Sequence, residues 1–66
     1  MTYAEWENDL KKRGYTVTVI GETYGGKTAV YVKMSDYNGY YVGWDFNKNK
    51  YEILGGKENA RYWLNM

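Results

Sequence analysis

With 66 residues and a net charge of +1, the chain has room for one domain and too little charge to imply nucleic acid or a membrane by itself. It has no cysteine and no histidine. That removes a disulfide framework, a thiolate metal site, the commonest metal ligand and the commonest general base. No apolar run approaches the roughly 20 residues of a membrane span, and no secretory signal precedes the first predicted element, so the expectation is a soluble cytoplasmic protein.

The first predicted element is a helix over Thr2–Arg13. Thr2-x-x-Glu5 is a capping box, in which a hydroxyl and a carboxylate satisfy amides left free at the helix start. Glu5, Glu7 and Asp9 come early and Lys11, Lys12 and Arg13 late, the order that suits the helix dipole. Glu7–Lys11 and Asp9–Arg13 have i,i+4 spacing. Tyr3, Trp6 and Leu10 form the apolar stripe, and Gly14 suits a left-handed stop.

Residues 15–54 then read as strands. In Tyr15–Ile20, Tyr15, Val17 and Val19 alternate with Thr16 and Thr18. A glycine-rich reversal over 21–26 leads into Thr28–Met34, with Val30, Val32 and Met34 on one face and Ala29, Tyr31 and Lys33 on the other. Asp36-Tyr37-Asn38-Gly39 is the next turn, since Asn-Gly is the strongest short hairpin signal. Tyr40–Phe46 groups Tyr40, Val42, Trp44 and Phe46 against Tyr41, Gly43 and Asp45. A polar turn at 47–50 precedes a short strand over Tyr51–Leu54. Each connection is too short for a parallel crossover, so the strands form an antiparallel meander. Lys57–Leu64 reads as a second, shorter helix, with Ala60, Trp63 and Leu64 on one face.

The expected fold is therefore a single α+β domain over residues 1–66. It has an N-terminal helix, a three- to four-stranded antiparallel meander sheet and a short C-terminal helix, in two layers. The core would be Val17, Val19, Val30, Val32, Val42, Trp44 and Phe46 beneath both helices. The opposite face, with Thr16, Thr18, Tyr31, Lys33, Tyr41 and Asp45, would stay open. An aromatic content of 20% compensates for small size, because a chain this short buries only about 60% of its unfolded surface.

One formal motif is present. Gly21-Glu22-Thr23-Tyr24-Gly25-Gly26-Lys27-Thr28 fits the phosphate-loop pattern G-x-x-x-x-G-K-[ST]. That loop needs a helix after it, whereas Thr28–Met34 is β-branched, aromatic and alternating, so a hairpin turn is the better reading. The acidic residues lie in turns and on a charged helix without clustering. No catalytic residue, cofactor or metal is expected, and the chain reads as not an enzyme.

Two families share features with this chain. Lys11-Lys12-Arg13-Gly14-Tyr15-Thr16-Val17 followed by two hairpins resembles a family of small phage-encoded anti-CRISPR proteins that inhibit type II-A RNA-guided nucleases. The likeness spans about residues 4–46. It implies a helix, a three-stranded antiparallel sheet and a further helix. It also implies stoichiometric DNA mimicry through acidic and amide side chains in a strand-connecting loop, where Asp36 and Asn38 fall here. That family is strongly acidic, and this chain is not. Gly56-Lys57-Glu58-Asn59-Ala60-Arg61 is similar to the start of the last helix of a double-stranded-RNA-binding domain, matching at Lys57, Ala60 and Arg61, with Glu58 in place of a lysine. That resemblance implies duplex RNA bound by shape through its backbone and 2′-hydroxyls.

The functional expectation is a non-enzymatic protein-binding module, a phage or mobile-element inhibitor of a host or defence protein. Tyrosine is enriched at interfaces because it pairs a large rigid surface with one polar handle. The expected contacts are Tyr31, Lys33, Asp36, Tyr37, Asn38 and Tyr41. The alternative is a nucleic-acid binder that meets phosphates through Lys48, Lys50, Lys57 and Arg61. A homodimer joined through the open sheet face is a further outcome.

Overall fold

A computed structural model describes residues 1–23 and 25–56. Helix α1 (Tyr3–Lys12) is followed by β1 (Thr16–Glu22), β2 (Thr28–Lys33), β3 (Gly39–Asp45) and β4 (Lys50–Gly55). The four strands form one antiparallel sheet in the order β1-β2-β3-β4. The predicted α+β meander is thus the observed one. The predicted second helix, Lys57–Leu64, lies outside the described residues.

The helix ends are built as their residues dictate. Thr2 N donates to Glu5 Oε1 at 2.9 Å and Glu5 N donates to Thr2 Oγ1 at 3.2 Å, which closes the capping box. The Thr2 amide and hydroxyl together hold the Glu5 carboxyl below its usual range. At the other end Gly14 takes φ +86°. Gly14 N donates to Lys11 O at 3.0 Å and Tyr15 N to Leu10 O at 3.1 Å, the paired bonds of a Schellman stop. Lys11 Nζ meets Glu7 Oε1 at 2.6 Å on the solvated side.

Strand pairing places Val30 opposite Val42, Val19 opposite Val30 and Val17 opposite Val32. Val30, Val32, Val42 and Trp44 are fully buried, and Trp6 and Leu10 of α1 close over them. Trp44 is the hub. The Trp6 ring stacks on it at 5.2 Å between centroids, Tyr3 meets it edge-on at 5.6 Å, and Tyr51 lies parallel at 6.3 Å. Trp44 Nε1 is buried and has no hydrogen-bond partner among the described residues.

Two residues differ from the expected core, and one from the expected strand bounds. Phe46 is not in a strand: it lies in the turn after β3, 56% exposed, with its ring against Tyr3. The cause is Asp45, whose Oδ1 accepts from Asn47 N at 2.9 Å and Lys48 N at 3.1 Å and so folds the chain over before Phe46 can pair. Val19 has the right phase but is 58% exposed, because β1 is an edge strand. Met34 lies beyond the end of β2 and is exposed. Among the described residues one helix, about 10–12 Å across, lies over strands spaced about 4.8 Å apart, a width of two or three strands. Both outer strands therefore keep apolar side chains partly in solvent.

The face opposite α1 is not simply open. Ala29 and Leu54 are buried there, and the Lys27 stem runs across Gly43 before its ammonium pairs with Glu52. Leu54 reaches this face by the ordinary alternation of β4, two residues after Glu52, and is the extra residue of the bulge opposite Tyr41 and Val42.

Candidate functional site

The β2–β3 hairpin gathers the six residues singled out as protein contacts. Tyr31 and Tyr41 are directly opposite each other, and their rings are tilted 46° with centroids 4.8 Å apart. Both are half-buried rather than open. The Tyr31 ring leans along the sheet onto Gly39, where a Cβ would stand 2.6 Å from Tyr31 Cζ. Glycine here sits in the strand, not in a turn, and makes room for a phenol. Lys33 lies two pairs further toward the tip, opposite Gly39, and its Nζ is 3.8 Å from Asp36 Oδ1.

The loop itself is held by short-range bonds. Asn38 O accepts from Met34 N at 2.8 Å and from Ser35 N at 3.1 Å. Ser35 Oγ accepts from Asn38 N at 3.2 Å and more weakly from Tyr37 N at 3.4 Å. On this frame Tyr37 stands at the tip, 97% exposed. Ser35 was not among the expected site residues. Its signal was nonetheless available, since a serine opening an S-D-Y-N turn is a side chain that bonds backbone amides two and three positions on.

The basic residues of the alternative reading are elsewhere. Lys48 and Lys50 are exposed at the β3–β4 turn, at the end of the sheet away from the hairpin tip. β3 has seven residues, so the two ends are separated by roughly 20 Å. Lys50 is paired across the strands with Asp45, and Glu52 is two residues on, so acid sits beside this base. Lys57 and Arg61 lie outside the described residues.

The phosphate-loop match resolves as a turn. Thr23 N donates to Lys27 O at 2.8 Å and Thr23 Oγ1 accepts from Lys27 N at 3.1 Å. Lys27 Nζ is engaged by Glu52, and β2 follows where a helix would be required.

Among the described residues two phenols are shifted, both upward. The Tyr3 phenol is pushed up to about 12, first by burial and then by the Glu7 carboxylate beside it. Tyr40 is also raised, by burial ahead of its neighbours Tyr51 and Tyr15. Raised phenols stay protonated at neutral pH, the opposite of what a base or nucleophile needs. Among the described residues no group of three or more acidic side chains is placed to hold a metal, and no helix is long and apolar enough to cross a membrane.

A groove of about 180 Å³ runs between α1 and β4, lined by Trp6, Asp9, Arg13, Tyr40, Tyr51 and Ile53 among others. Small-molecule and cofactor sites usually enclose about 300–1,000 Å³, so this groove is scaled to a single side chain. No family model, curated protein or solved structure matches the chain.

Proposed function

We propose that this chain is a non-enzymatic protein-binding module that presents its β2–β3 hairpin to a partner protein as an inhibitor of a host or defence factor. The observation that carries the reading is Tyr37, 97% exposed on a loop whose backbone is tied by Ser35 and Asn38. A large aromatic side chain on a preordered loop loses little conformational freedom on binding, which favours its use as an anchor. The Tyr31–Tyr41 pair and Lys33 extend the patch from the tip down one face. With Lys33 beside Asp36, the patch is aromatic and nearly neutral. That supports contact through tyrosine rather than through a mimic of the charge on DNA.

The resemblance to anti-CRISPR inhibitors selects the first partner to try, a type II-A RNA-guided nuclease loaded with its guide. Calorimetry with the purified complex would compare the wild-type chain, Tyr37→Ala, and Tyr31→Ala combined with Tyr41→Ala. Truncating an interface anchor costs about 2 kcal/mol or more, roughly a 30-fold loss of affinity. Circular dichroism of Tyr37→Ala should match the wild type. Binding that survives both variants would remove the hairpin as the contact. In parallel, a photo-crosslinking residue at position 37 would be introduced in the producing cell. Adducts to nucleic acid instead of protein would favour the basic residues of the β3–β4 turn.

A further inference from the structure

The two sheet edges are not alike. β4 carries Lys50 and Glu52, and charged side chains on an edge strand resist pairing with another chain. β1 carries no charge and no proline from Thr16 to Gly21; its run is Thr-Val-Thr-Val-Ile-Gly. Thr16, Thr18 and Val19 are exposed. An edge strand also turns alternate backbone amides and carbonyls outward without partners in the sheet. Among the described residues the strand with the highest β propensity is thus an edge with no charge from Thr16 to Gly21, interrupted by one bulge between Val19 and Gly21.

We propose that β1 is an interface for a second copy of this chain, added antiparallel about a two-fold axis at Thr18 to give one eight-stranded sheet. The occupant follows from self-complementarity. Pairing about Thr18 sets Val17 of one copy against Val19 of the other on the helix-bearing face, which covers the apolar side chain that α1 leaves in water. On the opposite face it sets Thr18 against its own symmetry mate, a cross-strand threonine pair. Charge favours antiparallel self-pairing. Beyond β1's start lie Lys12 and Arg13, and at its end lies Glu22, all exposed. In this register each Glu22 faces the Arg13–Tyr15 segment of the other copy, so opposite charges meet at both ends. A shift that centres the axis on Val19 sets Glu22 against Thr16 and loses that match, whereas one centred on Val17 sets it against Lys12 and leaves Val19 against Tyr15. The two hairpin tips then project from opposite ends of the joined sheet, and the dimer is bivalent for any partner they hold. The inference stands independently of what the hairpin binds.

Sedimentation of the full chain at about 10 µM and about 200 µM is the test, since one short strand pair gives modest affinity. The expected result is a species of twice the 7.8 kDa chain mass that grows with concentration. Val19→Lys places a charge at an exposed position, so the circular dichroism should be unchanged while the dimer dissociation constant rises at least tenfold. Glu22→Lys should weaken the dimer similarly, and adding Arg13→Glu should restore it. Amide exchange in the wild type should slow at β1 on raising the concentration. A wild-type chain that stays at 7.8 kDa throughout overturns the proposal. So does a dimer indifferent to Val19→Lys, which would place the contact on β4 or the sheet face. Open-ended fibres in place of a discrete dimer would also overturn it, because a two-fold interface closes on itself.

Discussion

Replacing Trp44 is the sharpest test of how this fold is held. Trp44 is fully buried in β3, between Thr28 of β2 and Tyr51 of β4. Its ring contacts Trp6, Tyr3, Phe46 and Tyr51. An indole buries roughly 150–250 Å², which at about 25 cal/mol per Å² is about 4–6 kcal/mol of transfer free energy. Tryptophan-to-alanine changes in cores cost about 3–5 kcal/mol. A domain of 66 residues is stable by about 3–10 kcal/mol in total. Trp44→Ala should therefore consume most of the stability and leave a measurable unfolded population in water. Trp44→Phe has a different expected outcome. It keeps an aromatic ring against Trp6 and removes an indole N–H that lacks a partner among the described residues. An unsatisfied buried donor costs about 1–3 kcal/mol, and its loss offsets much of the volume lost. Trp44→Phe should lie within about 1 kcal/mol of the wild type. Urea unfolding followed by far-ultraviolet circular dichroism measures both. Fluorescence is unsuitable, because one of the three tryptophans is the residue being changed. A Trp44→Ala protein that loses less than about 1 kcal/mol would show that the aromatic stack is not the hub. A Trp44→Phe protein as damaged as the alanine variant would show that the indole N–H is bonded after all.

Gly39→Ala should displace the Tyr31 ring, since the added carbon would stand 2.6 Å from Tyr31 Cζ. The expected cost is about 1–3 kcal/mol, with a change in the near-ultraviolet tyrosine signal; an unaltered spectrum and midpoint would refute the contact. Stability should also fall in alkali. The Tyr3 phenol is raised to about 12 by burial and by Glu7, so its contribution is intact below the ordinary phenol value of about 10. It is lost as pH climbs from there through the folded value, because the unfolded chain ionises first. Tyr3→Phe should flatten that decline in pH-dependent urea midpoints, and an equally steep decline in the variant would contradict the assignment.

Much of this architecture was legible because local chemistry decides it. Thr2 and Glu5 fix the helix start and Gly14 its stop through bonds that span a few residues, whereas the β2–β3 connection runs over residues 34–38, with Gly39 already in β3 and not in an Asn-Gly turn. The alternation in Thr28–Lys33 and Gly39–Asp45 correctly assigned Val30, Val32, Val42 and Trp44 to the core. Of the candidate contacts, all six of the tyrosine-rich set were brought onto one hairpin. Of the basic set, Lys48 and Lys50 share one turn. Other features were not legible. The exposed position of Val19, the burial of Ala29 and Leu54 on the far face, and the recruitment of Tyr51 to the tryptophan stack all depend on what lies across the sheet. A period-two pattern carries no information about that.

What the sequence determined alone, then, is which segments pair and which residues share a side, because side-chain alternation and turn chemistry act within a few residues of backbone. Only the tertiary structure decided which strands became edges, where two bulges shifted the register, and how far one helix reaches over four strands. Those follow from strand order and from the width of a helix relative to a sheet, quantities that exist only once distant residues have met.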